Sequence, residues 1–298
     1  MESRLATTLS DSPLARTWSK LRAEGRRALV PYLTAGYPSR DASAAAIRAV
    51  ADVADIIEVG IPFSDPLADG PTIQRSTFQA LQQGMTLPGA LDLIGELELA
   101  RPIVVFSYLN PILHYGIDRF LADATELGVA GLILTDLPAG SDPAIERTVQ
   151  ASALDLIRLI APTTRAARMA VAVEGAQGFV YLVARLGVTG ATSSLADSLA
   201  DSVGAVRRAT SLPVAVGFGI STPDHARAVG RMADGVVVGS ALVDVLGRDG
   251  VRAAARFLRS LREGLDAGDR QGLHRLYATT TRWTRGRRKK KRPSPSCS

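Results

Sequence analysis

The stretch Ala54-Asp55-Ile56-Ile57-Glu58-Val59-Gly60-Ile61-Pro62-Phe63-Ser64-Asp65-Pro66-Leu67-Ala68-Asp69-Gly70-Pro71-Thr72-Ile73-Gln74 decides the fold. It opens as an apolar, β-branched run, reaches a carboxylate at Glu58, and turns through two proline-bracketed loops that present Asp65 and Asp69. Side chains alternate along a strand, so Ile56 and Glu58 share one side while Ile57 and Val59 share the other. A carboxylate near the end of a buried strand is costly. Desolvation opposes its charged form and moves its pKa toward the range where protons are exchanged at neutral pH.

Working outward, the same kind of run recurs at residues 28–33, 55–59, 103–107, 131–135, 155–160, 178–183, 213–216 and 235–238. Ala-, Arg- and Leu-rich helical stretches lie between them, a pattern of repeated βα units and a parallel sheet. Eight units in 298 residues predict an α/β fold of the closed (β/α)8 TIM-barrel type, with an open doubly wound sheet as the competitor. The expected division is an N-terminal helix over one end of the barrel in residues 1–25, the barrel in 26–278, and a basic disordered tail in 279–298.

The formal charge of +6 belongs to that tail. Arg282, Arg285, Arg287, Arg288, Lys289, Lys290, Lys291 and Arg292 carry eight positive charges with no acid after them, which leaves the remainder at −2. Self-repelling charge with little to bury is read as a solvated extension rather than a nucleic-acid surface. The single cysteine, Cys297, permits no disulfide within the chain and points to a reducing cytoplasm. No window has the eighteen or so consecutive apolar residues of a membrane span. His114, His225 and His274 are too scattered to form a metal site, and no cofactor motif is present.

Barrels of this type carry their chemistry at the C-terminal ends of the strands, where Glu58 and Asp69 both fall. The plainer readings are an ion-paired Glu58 and a turn-forming Asp69. Glycines at Gly217 and Gly219 after the seventh run, and at Gly239 before Ser240 after the eighth, let backbone N–H groups approach an anion, a phosphate above all. Glycines needed only for tight turns are the alternative. Residues 187–190 form a third wall, and the small, polar stretch 191–202 is expected to be a mobile lid.

These residues carry a resemblance. Residues 31–38 (PYLTAGYP), 58–71 (EVGIPFSDPLADGP), 107–111 (SYLNP), 136–138 (DLP), 161–164 (APTT), 187–190 (GVTG) and 217–221 (GFGIS), together with Tyr181, closely resemble the α subunits of tryptophan synthase. The resemblance runs in order from about residue 26 to 246. It implies retro-aldol cleavage of indole-3-glycerol phosphate to indole and glyceraldehyde 3-phosphate, without metal or organic cofactor. By resemblance Glu58 is the acid/base group and Asp69 the carboxylate that accepts the indole N–H. Tyr32, Phe106, Tyr108 and Phe218 surround the ring, Tyr181 and Thr189 lie near the glycerol and the lid, and Gly190, Gly219, Gly239 and Ser240 cradle the phosphate.

The resemblance also implies a β-subunit partner in an αββα complex, docking on residues 62–71 and around Asn110 and Pro111. His114 could sit at that interface. A stand-alone lyase of specialised metabolism and a non-catalytic subunit that activates β use the same fold. Ala184 and Leu186 around Arg185, and Thr135 before Asp136, depart from the family's usual residues; the basic tail lies outside its pattern.

Overall fold

The computed structural model describes residues 11–161, 163–184, 192–217 and 219–284, with side chains as far as residue 267 except at 166 and 192–197. Eight strands run β1 (Ala28–Thr34), β2 (Ile57–Gly60), β3 (Ile103–Ser107), β4 (Val129–Leu134), β5 (Asp155–Ile160), β6 (Val180–Val183), β7 (Val214–Gly217) and β8 (Gly235–Val238). All neighbours are parallel and β8 pairs back onto β1, which closes the barrel. The open-sheet competitor is thereby excluded.

Among the described residues the helices are α1 (Pro13–Ala23), α2 (Arg40–Ala51), α3 (Pro71–Gln82), α4 (Leu87–Gly95), α5 (Leu109–Tyr115), α6 (Ile117–Glu126), α7 (Pro143–Gln150), α8 (Ala166–Ala172), α9 (Thr192–Ala209), α10 (Pro223–Gly230), α11 (Ser240–Asp249) and α12 (Val251–Thr284). Their starts follow local chemistry. Ser12, Ser39, Thr86, Asp142 and Thr222 each accept a backbone N–H from the first helical turn, and proline stands near the start of α1, α3, α4, α7 and α10.

The alternation read from β2 sorts the molecule into two cores. Ile57 and Val59 join the layer between strands and helices, while Ile56 joins the barrel interior with Val30, Val104, Ile133, Ile157, Ala215 and Val237. α1 lies across one end of that interior. It buries Leu14, Trp18 and Leu21, each worth about 1.5–3 kcal/mol of apolar transfer, and Trp18 stacks at a tilt on Phe179 with ring centroids 5.5 Å apart. Ser12 both caps α1 and donates to Asp155 of β5 at 2.6 Å.

The stretch expected as a lid reads differently from residue 192 onward, where it forms the first half of α9. Leu199, Val203 and Val206 recur at helical spacing and are buried, and that periodicity outweighs the many small polar residues. Residues 185–191 lie outside the described residues, as do residues 285–298 of the basic segment; α12 continues past residue 279 to Thr284.

Asp55 sits just before β2 and ties α12 to the barrel. Its carboxylate accepts from Leu29 N at 2.9 Å and from Arg262 at 2.9 Å, and Arg262 also bonds the Arg27 carbonyl at 3.0 Å and Asp266 at 2.8 Å. Breaking a buried pair leaves a desolvated charge behind. Arg262→Leu is therefore expected to lower the unfolding free energy by about 3 kcal/mol, measured by urea denaturation. A loss below about 1 kcal/mol would show that Arg26, 3.5 Å from Asp55, is an adequate substitute.

Candidate active site

Glu58 is fully buried, and neither carboxylate oxygen has a hydrogen-bond partner. The interior positions next to it in register are Tyr32 of β1 and Val104 of β3. With nothing to stabilise the charged form, burial pushes Glu58 up to about 8. The carboxyl is therefore protonated at neutral pH and faces a cavity of about 1310 Å³ at the C-terminal mouth of the barrel.

Asp69 lines the same cavity from the β2–α3 loop. That loop is braced internally: Asp69 N donates to the Pro66 carbonyl at 3.1 Å, and the Gln74 amide reaches back to the Asp69 carbonyl at 3.0 Å. Burial raises the Asp69 carboxyl and a hydrogen bond from the Tyr108 hydroxyl partly offsets it, leaving the group at about 6. At pH 7 Asp69 is thus mostly ionised while Glu58 is mostly protonated, a separation of environments that suits one proton donor and one fixed anion.

Two tyrosines crowd the mouth, and each is accommodated by a glycine. A Cβ on Gly60 would lie 2.0 Å from the Tyr32 hydroxyl, and one on Gly217 would lie 2.3 Å from the Tyr181 hydroxyl. Tyr32 meets Phe106 edge-on at 5.4 Å. Burial, followed by neighbouring carboxylates, moves both tyrosines well above the usual phenol range, so they remain neutral donors. Glu58, Asp69, Tyr32, Phe106, Tyr181, Gly219, Gly239 and Ser240 all line one cavity. Gly219 lies after β7, and Gly239 and Ser240 stand at the start of α11, a helix N-terminus of the kind that favours an anion.

Tyr108 is placed differently from the other aromatics. It is absent from the cavity wall, packs against Phe63 at 5.1 Å, and its hydroxyl accepts from Ala68 N at 2.9 Å while serving Asp69. Its burial makes it a strut for the Asp69 loop. Thr189, Gly190 and Phe218 lie outside the described residues.

Two other wall residues, Arg158 and His225, were not singled out by the sequence. Arg158 points outward from β5, is only 3% exposed, and is held by Glu146, the Leu137 carbonyl and the Glu174 carbonyl. An arginine within an otherwise apolar run gives no hint of an acid twelve residues earlier. His225 also lines the cavity. Its position four residues after Ser221, at the start of the helix following β7, was the available clue. Among the described residues, no group of three or more His, Cys, Asp and Glu side chains could hold a metal.

The chain matches the family model described as tryptophan synthase alpha chain over residues 18–266. The tryptophan synthase alpha chain of Chloroflexus aurantiacus is 45% identical over 258 residues, covering 84% of this chain and 97% of the relative. A structure of Mycobacterium tuberculosis tryptophan synthase matches with a TM-score of 0.78 and 39% identity over 85% of this chain and 98% of its own. The tryptophan synthase subunit alpha of Legionella pneumophila gives 0.79 and 33% over 86% and 99%. Fold, mouth chemistry and relatives agree: the chain belongs to the tryptophan synthase alpha chain family.

Proposed function

We propose that Glu58 is the acid/base group, and Asp69 the fixed anion, of indole-3-glycerol phosphate cleavage. The reaction is that of the family, a carbon–carbon lyase step that yields indole and glyceraldehyde 3-phosphate. Breaking the bond from indole C3 to the glycerol carbon requires a proton delivered to C3 and a proton removed from the adjacent hydroxyl. Glu58, protonated at neutral pH and bound to no neighbour, can deliver the first and then, as carboxylate, take the second. Asp69, ionised, accepts the indole N–H and stabilises positive charge on the ring. The unpartnered, fully buried Glu58 carboxyl at the cavity wall is the observation that carries this assignment.

Tyr32 and Phe106 form the ring wall, with Phe218 assigned there by family resemblance. Tyr181 and Thr189 serve the glycerol, and Gly190, Gly219, Gly239 and Ser240 hold the phosphate. The reaction needs no cofactor. The chain pairs with the tryptophan synthase β subunit, which receives the indole. The docking surface we assign to residues 62–71 and α5 fits that role, because Leu67 is 92% exposed and Leu113 is 46% exposed there. We place the enzyme in the cytoplasm, since its one cysteine needs no oxidising compartment and no helix among the described residues is long and apolar enough to cross a membrane. We assign residues 1–25 to the barrel cap, 26–278 to the catalytic barrel and 279–298 to the basic tail.

The direct test is to incubate the purified chain with indole-3-glycerol phosphate, with and without β subunit, and follow indole. No indole in either case ends the reading. The pH profile adds a second check: kcat/KM should rise through Asp69 near 6 and fall through Glu58 near 8. Tyr108→Phe removes a hydrogen bond that favours ionised Asp69. The acid limb should then move to higher pH, and an unmoved limb would contradict the strut assignment.

A further inference from the structure

We propose that His225 is a binding residue for the phosphate end of the substrate, adding a side-chain donor to a cradle otherwise built of backbone N–H groups and hydroxyls. The inference deepens the functional reading above and rests on it.

His225 lines the reaction cavity together with Gly219, Ser221, Gly239 and Ser240. Its backbone is fixed by the helix cap, with His225 N donating to Thr222 Oγ1 at 3.2 Å. Its ring Nδ1 lies 3.5 Å from Ser221 Oγ, which leaves Nε2 for a ligand. Nearby carboxylates already have partners: Asp224 pairs with Arg227 at 2.8 Å, and Asp244 is held by Thr72 and Arg75. Among the described residues no carboxylate pairs with the imidazole.

Among the described residues, those assigned to the cradle itself carry no charge, while the arginines of the same cavity, Arg158, Arg165 and Arg168, stand on β5, the segment after it and α8. Gly219, Gly239 and Ser240 offer neutral donors, whereas a phosphate monoester is bound more strongly by donors that can carry charge. A ring N–H at the rim also reads the far end of the ligand, distant in function from Glu58. It should therefore change how tightly the phosphate is held without touching the proton transfers.

The test compares indole-3-glycerol phosphate with unphosphorylated indole-3-glycerol, and inorganic phosphate as competitive inhibitor, in the α chain assembled with β. His225→Gln should raise KM for the phosphorylated substrate and Ki for phosphate by about three- to tenfold, the worth of one charge-assisted hydrogen bond at a solvent-open rim. kcat should change less than about twofold, because the group acts in binding rather than in the transition state alone. kcat/KM for indole-3-glycerol should stay level, and His225→Arg should restore tight phosphate binding. Unchanged KM and Ki, or an equal loss with both substrates, overturns the proposal. A parent enzyme that releases no indole overturns the functional reading instead, so the two failures are distinguishable.

Discussion

Glu58→Gln lowers kcat at least about a hundredfold, the usual worth of a positioned general acid/base, while the barrel stays folded. Glutamine keeps the shape but can neither release nor take up a proton near neutral pH, so the loss reads the chemistry directly. The same substitution should make the protein more stable near pH 8. Burial raises the folded-state pKa of Glu58 from 4.5 to about 8. The native state therefore retains a proton that the unfolded chain has lost. Stability from this group is fully present below the unfolded pKa and disappears as pH rises through the folded one, across roughly pH 4.5 to 8. A glutamine cannot ionise and pays no such penalty. Parent and variant should have melting temperatures that diverge with rising pH; melting curves that remain parallel from pH 5 to 8 would place Glu58 in a more polar setting than the structure shows.

Gly217→Ala should remove most activity, about a hundredfold or more in kcat/KM, without comparable loss of stability. The added methyl would stand 2.3 Å from the Tyr181 hydroxyl and 2.6–2.7 Å from its ring carbons. Something must move, and the ring has an empty cavity of about 1310 Å³ to move into. That displacement fills space needed by the substrate, and misplacement by about 1 Å can cost two orders of magnitude. Tyr181→Leu in the same background should recover part of the loss, giving strong non-additivity between the two sites. Independent, additive effects would mean that the glycine and the tyrosine do not share one space. A collapse of the melting temperature would mean that the strands, rather than the ring, absorb the clash.

The barrel was readable because its signal is repeated: eight β-branched runs separated by helical stretches leave little freedom for other topologies. The inward aim of Glu58 followed from alternation alone, and the two cores confirm the same alternation at Ile56 and Ile57. What escaped was information carried between distant positions. Asp55 looked like the first residue of a strand, yet it serves as an anchor for Arg262, 207 residues away. Tyr108 resembled a ring contact, but its place is fixed by the Ala68 N–H and the Asp69 carboxyl. The helix that occupies the expected lid from residue 192 onward was obscured because its buried apolar residues, Leu199, Val203 and Val206, stand three and four positions apart among small polar ones.

The stopper formed by Leu14, Trp18 and Phe179 has a consequence for traffic. Among the described residues these side chains close the end of the barrel away from Glu58, which leaves the C-terminal mouth as the doorway. The hinge post of that doorway is Tyr108, which grips Ala68 and Asp69 at once, one residue from the protruding Leu67. Through Tyr108 the segment that carries the exposed Leu67 is tied to the Asp69 carboxyl, the group we assign to the substrate ring.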